Sequence, residues 1–270
     1  QLKPFEFLAF GKIAIPLIII CILSVLIVIK LLIKKLRIPT RMAYLISIGS
    51  TVCGTTAIMA TAPVIKATKN EVSYAIANIT LFGILSMLIY PYFANYYFDS
   101  EPLLIGLFLG TSIHETSQVA AAGLIYEQQF NSPETLNIAT VTKLIRNTFL
   151  IIMIPLFALL YNRGQTKEKN YSILSIFPYF VLGFVGMIIV RNIGDQMFIS
   201  DNNIWNEIVN IIKFSSKIFL TMAMAAIGLS TNLKDIRTMG YRPFIVGFIA
   251  MLTVGIVCII TIESYLNFFI

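Results

Sequence analysis

The sequence predicts an all-α, polytopic membrane protein, and three observations support that fold class. Of the 270 residues, 57% are hydrophobic and only 12% are charged, which is more apolar than a soluble domain tolerates. Several apolar runs approach or exceed the roughly 20 residues that a helix needs to cross a bilayer. Lys and Arg gather in alternate connections between these runs. Residues 1–270 therefore form one integral membrane domain.

The apolar runs define helical spans, and two less regular segments interrupt them. Each span is a long stretch of aliphatic and aromatic residues, whereas the irregular segments are rich in Gly, Ser and Thr. The predicted spans are 7–33, 72–97, 134–160, 171–190, 207–230 and 243–265, and the irregular segments are 40–68 and 102–127. Because the chain starts at Gln1 instead of Met, we expect a further N-terminal segment.

Positive charge orients the spans, since Lys and Arg are retained on the cytoplasmic side. One set of connections holds thirteen basic residues and the opposite set holds only Arg191. This places both ends of the chain outside. The count assumes that 40–68 and 102–127 enter and leave the membrane on the same side. If each segment crossed the membrane completely, the count of basic residues on the two sides would become eleven against three. The larger asymmetry therefore favours re-entrant hairpins over broken crossing helices.

The two irregular segments resemble each other. Residues 49–64 align with 110–125, and the helices that follow also correspond, with IANIT at 76–80 similar to IATVT at 138–142. The aligned identities include Gly49 with Gly110, Thr55 with Thr116 and Ala60 with Ala121. In the hairpin topology the segments enter from opposite sides, which is the inverted-repeat plan of many secondary transporters. Close packing of small residues without a repeat is the alternative.

The polar residues of the two segments are candidates for binding an anion near mid-membrane. Irregular backbone occurs in a membrane only where it is buried in protein or lines a wet cavity. The half-helix that follows such a break presents free N–H groups, which attract anions. The predicted binding residues are Ser50, Thr51, Cys53, Gly54, Thr55, Thr56, Ser112, Thr116, Ser117, Gln118 and Asn147, with Asn78 and Thr80 as neutral neighbours. Tightly packed helices without a ligand are the alternative.

Four ionisable residues lie within these apolar surroundings. His114 and Glu115 belong to the second irregular segment, and Lys143 and Arg146 lie one helical turn apart in the span 134–160. Charged groups inside a membrane are costly enough to be functional candidates. We predict that all four belong to the substrate site, and that His114 and Glu115 carry a coupling proton or ion. Alternatively, Glu115 only neutralises one of the cations, and Arg146 only locks helices together.

Several other classes of site are excluded. His114 and Glu115 begin like the zinc-protease signature H-E-x-x-H, but the fifth position is Gln118 and the chain has one His. The three Cys residues lack metal-ligand spacing, and no nucleotide-binding fingerprint is present. The net charge of +7 is spread over short connections and forms no basic groove for nucleic acid. We therefore predict no enzymatic activity, no metal and no cofactor.

Three stretches are the most specific in the chain, GSTVCGTTAIMATAPVIKATKNEVSYAIA at 49–77, GTSIHETSQVAAAG at 110–123 and VTKLIRN at 141–147. Together they resemble the YeiH-type family of bacterial membrane proteins, usually labelled sulfate exporters. That family is similar to the superfamily of bile-acid symporters and cation/proton antiporters. The resemblance implies an inverted-repeat fold with a core at 40–160, scaffold-like helices at 171–265 that often dimerise, a bacterial plasma-membrane location and a longer N-terminus.

These observations favour a secondary transporter that moves a small anion by alternating access, with H⁺ or Na⁺ as the coupling ion. Sulfate, sulfite and small sulfonates or carboxylates are the candidate substrates. A Na⁺/H⁺ or other cation antiporter is the alternative within transport, although the sequence offers no mid-membrane Asp pair. A structural or regulatory membrane protein is the alternative of another class, and it predicts two closed breaks with Glu115 paired to Arg146.

Overall fold

The structure is a computed structural model and describes residues 4–163, 202–230, 240–269 and most of 186–197. All regular secondary structure in these residues is helical. The helices are α1 Pro4–Leu36, α2 Thr40–Thr51, α3 Gly54–Thr61, α4 Lys69–Tyr97, α5 Pro102–Ser112, α6 Thr116–Phe130, α7 Pro133–Thr148, α8 Leu150–Arg163, α9 Asn202–Ser230 and α10 Arg242–Phe269. The described residues of 186–197 are also helical.

Four helical stretches among the described residues are long and apolar enough to cross a membrane. They are Gly11–Ile33 in α1, Lys69–Tyr97 in α4, Pro133–Tyr161 across α7 and α8, and Arg242–Ser264 in α10. These stretches confirm the predicted spans that begin at residues 7, 72, 134 and 243. The predicted span 207–230 lies within α9. Most of the predicted span 171–190 lies outside the described residues and stays a prediction.

Local sequence signals set several helix ends. Thr68 and Glu71 form a capping box at the start of α4, in which each side chain accepts a hydrogen bond from the other residue's backbone N–H. Pro102 and Pro133 occupy the first turns of α5 and α7, where a missing N–H costs nothing. Asn131 ends α6 in the left-handed conformation with φ 53°. These signals separate the short helices from the long spans.

The chain reverses direction between α2 and α3. A Cβ atom on Gly49 of α2 would lie 2.9 Å from Cδ1 of Ile58 in α3. In a continuous helix, residues nine positions apart are separated by about 13.5 Å. Val52 and Cys53, between the two helices, both have non-helical backbone angles. The two helices therefore form a first hairpin with its turn at residues 52–53.

A second reversal joins α5 to α6, and α7 packs against both helices. Residues later in α7 contact residues later in α5, but they contact residues earlier in α6. Consequently α5 is parallel to α7, α6 is antiparallel to it, and residues 113–115 form the turn of a second hairpin. The contacts pair Gly106 with Ile138 and Gly110 with Thr142 for α5, and Gly123 with Leu136 and Thr116 with Asn147 for α6.

The long helices α4 and α10 run side by side in the same direction, and they show how the hairpins are arranged. Side chains of α4 hydrogen-bond along α10 in register, through Tyr74 to Gly240, Asn78 to Pro243, Tyr90 to Met251 and Tyr97 to Glu263. The first hairpin opens where α4 begins and the second opens where α4 ends. The two turns therefore approach each other from opposite ends of the molecule.

Candidate functional site

The turns of the two hairpins meet inside the protein. The backbone N–H of Thr55 donates to Oε1 of Glu115 at 3.3 Å, and the Thr55 hydroxyl donates to the same oxygen. The sulfur of Cys53 lies 3.7 Å from Oγ1 of Thr116. Polar residues from both predicted segments are thus in direct contact. We call this region, residues 50–56 and 111–118 with the facing part of α7, the junction.

Lys143 of α7 is 0% exposed and binds the main chain of both turns. Its Nζ atom donates to the carbonyl oxygens of Val52 and Ile113, both at 2.9 Å, and of His114 at 2.5 Å. A protonated lysine has three N–H donors and no acceptor. Three carbonyl partners therefore satisfy the charged ammonium completely.

Arg146, one turn further along α7, is 1% exposed and donates to main-chain carbonyls at the ends of α2 and α5. Its Nε donates to Thr51 O at 3.0 Å and its Nη2 to Ser50 O at 2.8 Å, both at the end of α2. Its Nη1 donates to Thr111 O at 2.5 Å and to Ile113 O at 3.3 Å, at the end of α5. The guanidinium group therefore joins the two hairpins.

The carbonyl groups that the two cations bind are matched by the internal sequence alignment. Both helices end at aligned positions, α2 at Thr51 and α5 at Ser112. The aligned acceptors are Val52 with Ile113 for Lys143, and Ser50 with Thr111 for Arg146. The last carbonyls of a helix carry about half a negative charge and favour a nearby cation. Each cation thus neutralises both helix C-termini at once.

Glu115 lies on the other side of the turns, at the N-terminus of α3. Its carboxylate is 5% exposed and also accepts a hydrogen bond from Oγ1 of Thr80 in α4, at 3.3 Å. A Cβ atom on Gly54 would lie 2.8 Å from Cγ of Glu115, so the glycine permits this approach. Free N–H groups at a helix N-terminus favour a negative charge. The carboxylate of one hairpin therefore caps a helix of the other.

The N-terminus of α6 is the other helix start at the junction. The first hydrogen bond of this helix runs from Val119 N–H to Glu115 O, so the N–H groups of residues 116–118 precede it. Oγ1 of Thr116 accepts a hydrogen bond from Nδ2 of Asn147 at 3.1 Å. Thr55, Thr116, Ser117 and Asn147 are half-buried and Thr56 is exposed. We call these five residues the rim, because they are the more accessible part of the junction.

Glu115 is not in an ion pair with either buried cation. The one salt bridge within 4.0 Å in the described part of the chain joins Arg191 to Asp195, far along the sequence. Lys143 and Arg146 instead use their donors on carbonyl oxygens. The structure therefore does not show the predicted alternative in which Glu115 pairs with Arg146.

Other predicted residues contribute less directly. The hydroxyl groups of Thr51 and Ser112 donate to their own helices, to Ile48 O at 3.0 Å and Phe108 O at 2.6 Å. The side chain of Gln118 donates to Thr80 O at 3.1 Å. Asn78 lies away from the junction, where it ties α4 to α10. These contacts order the helices around the junction.

Several buried polar atoms at the junction have no hydrogen-bond partner in the protein. They are Oγ of Ser50, Oγ1 of Thr111, both ring nitrogens of His114, Oε1 of Gln118 and Oδ1 of Asn147. The His114 side chain is 1% exposed. Most buried polar side-chain atoms in proteins have a partner. The junction is therefore where buried polar atoms without a protein partner are concentrated in the described residues.

Sequence reasoning missed the partners of the two cations. It assigned Lys143 and Arg146 to the substrate site, with Arg146 as a helix lock as the alternative, and it did not predict that their hydrogen bonds go to main-chain carbonyls. It also named Thr80 only as a neutral neighbour at similar depth, although this residue binds Glu115 directly. The similarity of IANIT and IATVT was the signal available for Thr80. No sequence pattern marks a main-chain carbonyl as a hydrogen-bond acceptor. However, a helix that ends inside an apolar segment leaves its last carbonyls without a partner, and a nearby cation can supply it.

Comparisons with known proteins place the chain in a family. A model of the family described as Conserved hypothetical protein 698 matches residues 1–247. The chain is 35% identical over 257 residues to a UPF0324 membrane protein of Fusobacterium nucleatum, covering 92% of this chain and 74% of that protein. It is 36% identical over 258 residues to a UPF0324 membrane protein of Streptococcus agalactiae, with 95% and 74% covered. The chain belongs to this family.

Family membership agrees with the apolar helices. Another relative, a UPF0324 membrane protein of Clostridium tetani, is 31% identical over 238 residues, covering 83% of this chain and 65% of its own length. No solved structure matches the chain significantly. The relatives are named as membrane proteins, and four helical stretches here are suited to crossing a bilayer. The protein is therefore a multi-pass bacterial membrane protein.

Proposed function

We propose that the protein is a secondary transporter that carries a small anion through the junction by alternating access. Sulfate, sulfite and small sulfonates or carboxylates are the substrate class. The anion binds among the rim residues, at the N-termini of α3 and α6. One observation supports this above all others: the charges buried at the junction do not balance.

The charge count starts from the ionised side chains. All three side chains are buried, and when ionised Lys143 and Arg146 contribute two positive charges and Glu115 one negative charge. Each helix terminus adds about half a charge, so two C-termini and two N-termini cancel. The junction is left with about one positive charge in surroundings where an uncompensated charge is costly. This excess of positive charge is why we favour an anionic substrate over a cation.

The position of the hydrogen-bond donors favours the rim over the cations as the direct contact for the anion. Carbonyl oxygens already occupy the donors of Lys143 and Arg146. The rim offers hydroxyl groups and helix N–H groups, and it is more accessible than the cations. Oriented backbone and hydroxyl donors are well suited to a small oxyanion. The cations act on the anion through their charge.

The chain path supports transport more generally. Two hairpins with aligned sequences open at opposite ends of the molecule, and their turns contact residues 143–147, the middle of the stretch Pro133–Tyr161. Secondary transporters often hold substrate between two inverted repeats, at breaks near mid-membrane. We infer that the hairpins are re-entrant inverted repeats. The resemblance to sulfate exporters noted above points to the same substrate class.

A flux measurement in proteoliposomes tests the proposal. The purified chain is reconstituted, and uptake of labelled sulfate is followed with a pH gradient, with a sodium gradient and with neither; empty liposomes serve as the blank. Sulfite, methanesulfonate and acetate are tested as competitors and as labelled substrates. We expect saturable uptake of at least one anion. Uptake equal to that of empty liposomes for all four anions would rule out the proposal.

A matched pair of variants connects flux to the rim. Thr116→Val removes a rim hydroxyl, whereas Thr253→Val removes a hydroxyl that donates to its own helix, to Ile249 O at 2.7 Å in α10. A hydrogen bond to a charged group contributes about 1.5–3 kcal/mol, so T116V should weaken anion binding about tenfold or more. T253V should transport like the wild type. Equal apparent affinities in the two variants would exclude Thr116 from the site.

A further inference from the structure

The N-terminus of α3 already holds an anionic group of the protein itself. Three donors converge on the Oε1 atom of Glu115: the Thr55 N–H, the Thr55 hydroxyl and the Thr80 hydroxyl. Glu115 precedes the first residue of α6, so its carboxylate reaches from one hairpin to the other. The helix N-terminus that would attract an anion is therefore occupied by a carboxylate in this structure.

A bound anion and this carboxylate compete for the same place. A small oxyanion at the N-terminus of α3 needs the Thr55 donors, and it would lie within hydrogen-bonding distance of where the Glu115 oxygen now lies. Two negative charges at such a separation strongly disfavour each other. The anion is therefore excluded as long as Glu115 is ionised and bound to α3.

Resting on the proposed function, we propose that Glu115 is a tethered competitor of the transported anion, and that proton uptake by its carboxylate admits the anion to the α3 N-terminus. In this exchange one proton from solution adds to the carboxylate oxygen, the hydrogen bonds from Thr55 are released, and the anion accepts them. One proton is thus bound for each anion bound. Alternating access then carries both in the same direction, as proton–anion symport.

The surroundings of Glu115 support this role. The ionisable groups that face it are Cys53 beside α3, Lys143 on α7 and His114 on its own segment, while α4 contributes the uncharged Thr80. Carbonyl oxygens fully engage Lys143, and the Cys53 sulfur lies near hydroxyl groups. His114 has no hydrogen bond to α3. Glu115 is the group whose loss of charge directly releases the donors of the α3 N-terminus.

Thermal unfolding of the purified full chain in detergent, at about pH 5.5 and about pH 7.5 with increasing sulfate or methanesulfonate, tests the proposal. If protonation is obligatory, the anion concentration giving half-maximal stabilisation in the wild type rises by up to about tenfold per pH unit. Glu115→Gln keeps an acceptor oxygen without the charge, so it should bind tightly at both pH values. Glu263→Gln, an exposed acid that accepts a hydrogen bond from Tyr97, should keep the wild-type dependence.

Flux gives a second readout. With an inward proton gradient, the wild type should accumulate sulfate or methanesulfonate above equilibrium, whereas E115Q should only equilibrate it. Glu115→Asp provides a variant that keeps the charge but shortens the reach to the donors. As a weaker competitor, E115D should need less anion than the wild type near neutral pH, and it remains informative if E115Q does not fold.

The outcomes separate this proposal from the function on which it rests. A wild type stabilised equally well at both pH values would overturn the role of Glu115 and leave anion transport standing. E115Q with an unchanged pH dependence, or E115D that needs more anion than the wild type, would overturn it as well. If neither anion stabilises the wild type at either pH and no flux occurs, both proposals fail.

Discussion

The helix C-termini and the helix N-termini at the junction are built differently. Buried Lys143 and Arg146 bind the carbonyls at the ends of α2 and α5, through side chains that are 0% and 1% exposed. The starts of α3 and α6 are served by half-buried Thr55 and Thr116 and by the carboxylate of Glu115. The C-terminal side is therefore a completed internal contact. The anion site that we propose lies on the N-terminal side.

The difference follows from what each helix end needs. Carbonyl groups at a helix end inside a membrane have no water to bond, and each unsatisfied group costs several kcal/mol. A fixed cation satisfies several of them permanently, at the expense of burying a charge. N–H groups at a helix start can instead be satisfied by an exchangeable anion. We therefore expect substitutions on the C-terminal side to affect mainly stability, and those at the rim to affect mainly ligand binding.

Lys143→Met tests the C-terminal side and should have the largest effect. Methionine has a similar length but no donor, so the carbonyls of Val52 and His114 lose their partner and that of Ile113 keeps only Nη1 of Arg146 at 3.3 Å. At about 1–3 kcal/mol for each unsatisfied buried group, K143M should be destabilised by roughly 3 kcal/mol or more. Thermal unfolding in detergent and the yield of monodisperse protein measure this effect.

The control for this variant is Lys12→Met, because Lys12 is exposed on α1. K12M should unfold at the wild-type temperature. A K143M protein as stable as K12M would show that the carbonyls do not depend on Lys143, and the comparison between the two sides of the junction would fail.

Gly110→Ala tests the packing that brings the end of α5 to α7, and its effect should be intermediate. A Cβ atom at this position would lie 2.5 Å from the main-chain oxygen of Ala139. A main-chain atom cannot move aside as easily as the end of a flexible side chain. We therefore expect overpacking to destabilise G110A by about 1–3 kcal/mol. Thermal unfolding again provides the measurement.

Gly11→Ala is the matched control, because the nearest atom to a Cβ there is Cδ1 of Ile15 at 3.8 Å. Alanine is the better helix former, so G11A should be as stable as the wild type or slightly more stable. If G110A and G11A unfold at the same temperature, α5 does not pack on α7 as closely as the structure indicates.

The sequence predicts the long helices and the location of the junction well, and physical reasons account for this. Membrane helices require long apolar runs, so the spans at α1, α4, α7 with α8, and α10 could be recognised from composition. The breaks after Thr51 and Ser112 could be recognised because Gly and Thr interrupt those runs at aligned positions. Direct contact between the two breaks follows from the aligned hairpins.

The hydrogen bonds inside the junction could not be predicted in the same way. Lys143 and Arg146 were recognised as buried cations, but their partners are main-chain carbonyls, which every residue carries and no sequence pattern marks. Glu115 was recognised as an intramembrane acid. Its contact, however, is with the N-terminus of α3 and not with a cation. This contact depends on the relative position of the two hairpins, which is set by packing at Gly54 and along α7.

Asn147→Ala tests the rim and should have the smallest effect on stability. The change removes one hydrogen bond, from Nδ2 to Oγ1 of Thr116, but it also removes a buried oxygen that has no partner. The two contributions oppose each other, so we expect a net change within about 1 kcal/mol. Anion binding should respond more strongly, because Asn147 is one of the few polar side chains at the rim.

Asn206→Ala, on an exposed part of α9, is the control for both measurements. A N147A protein that loses as much stability as K143M, or that is stabilised by sulfate as well as N206A is, would place Asn147 with the internal contacts instead of the ligand site.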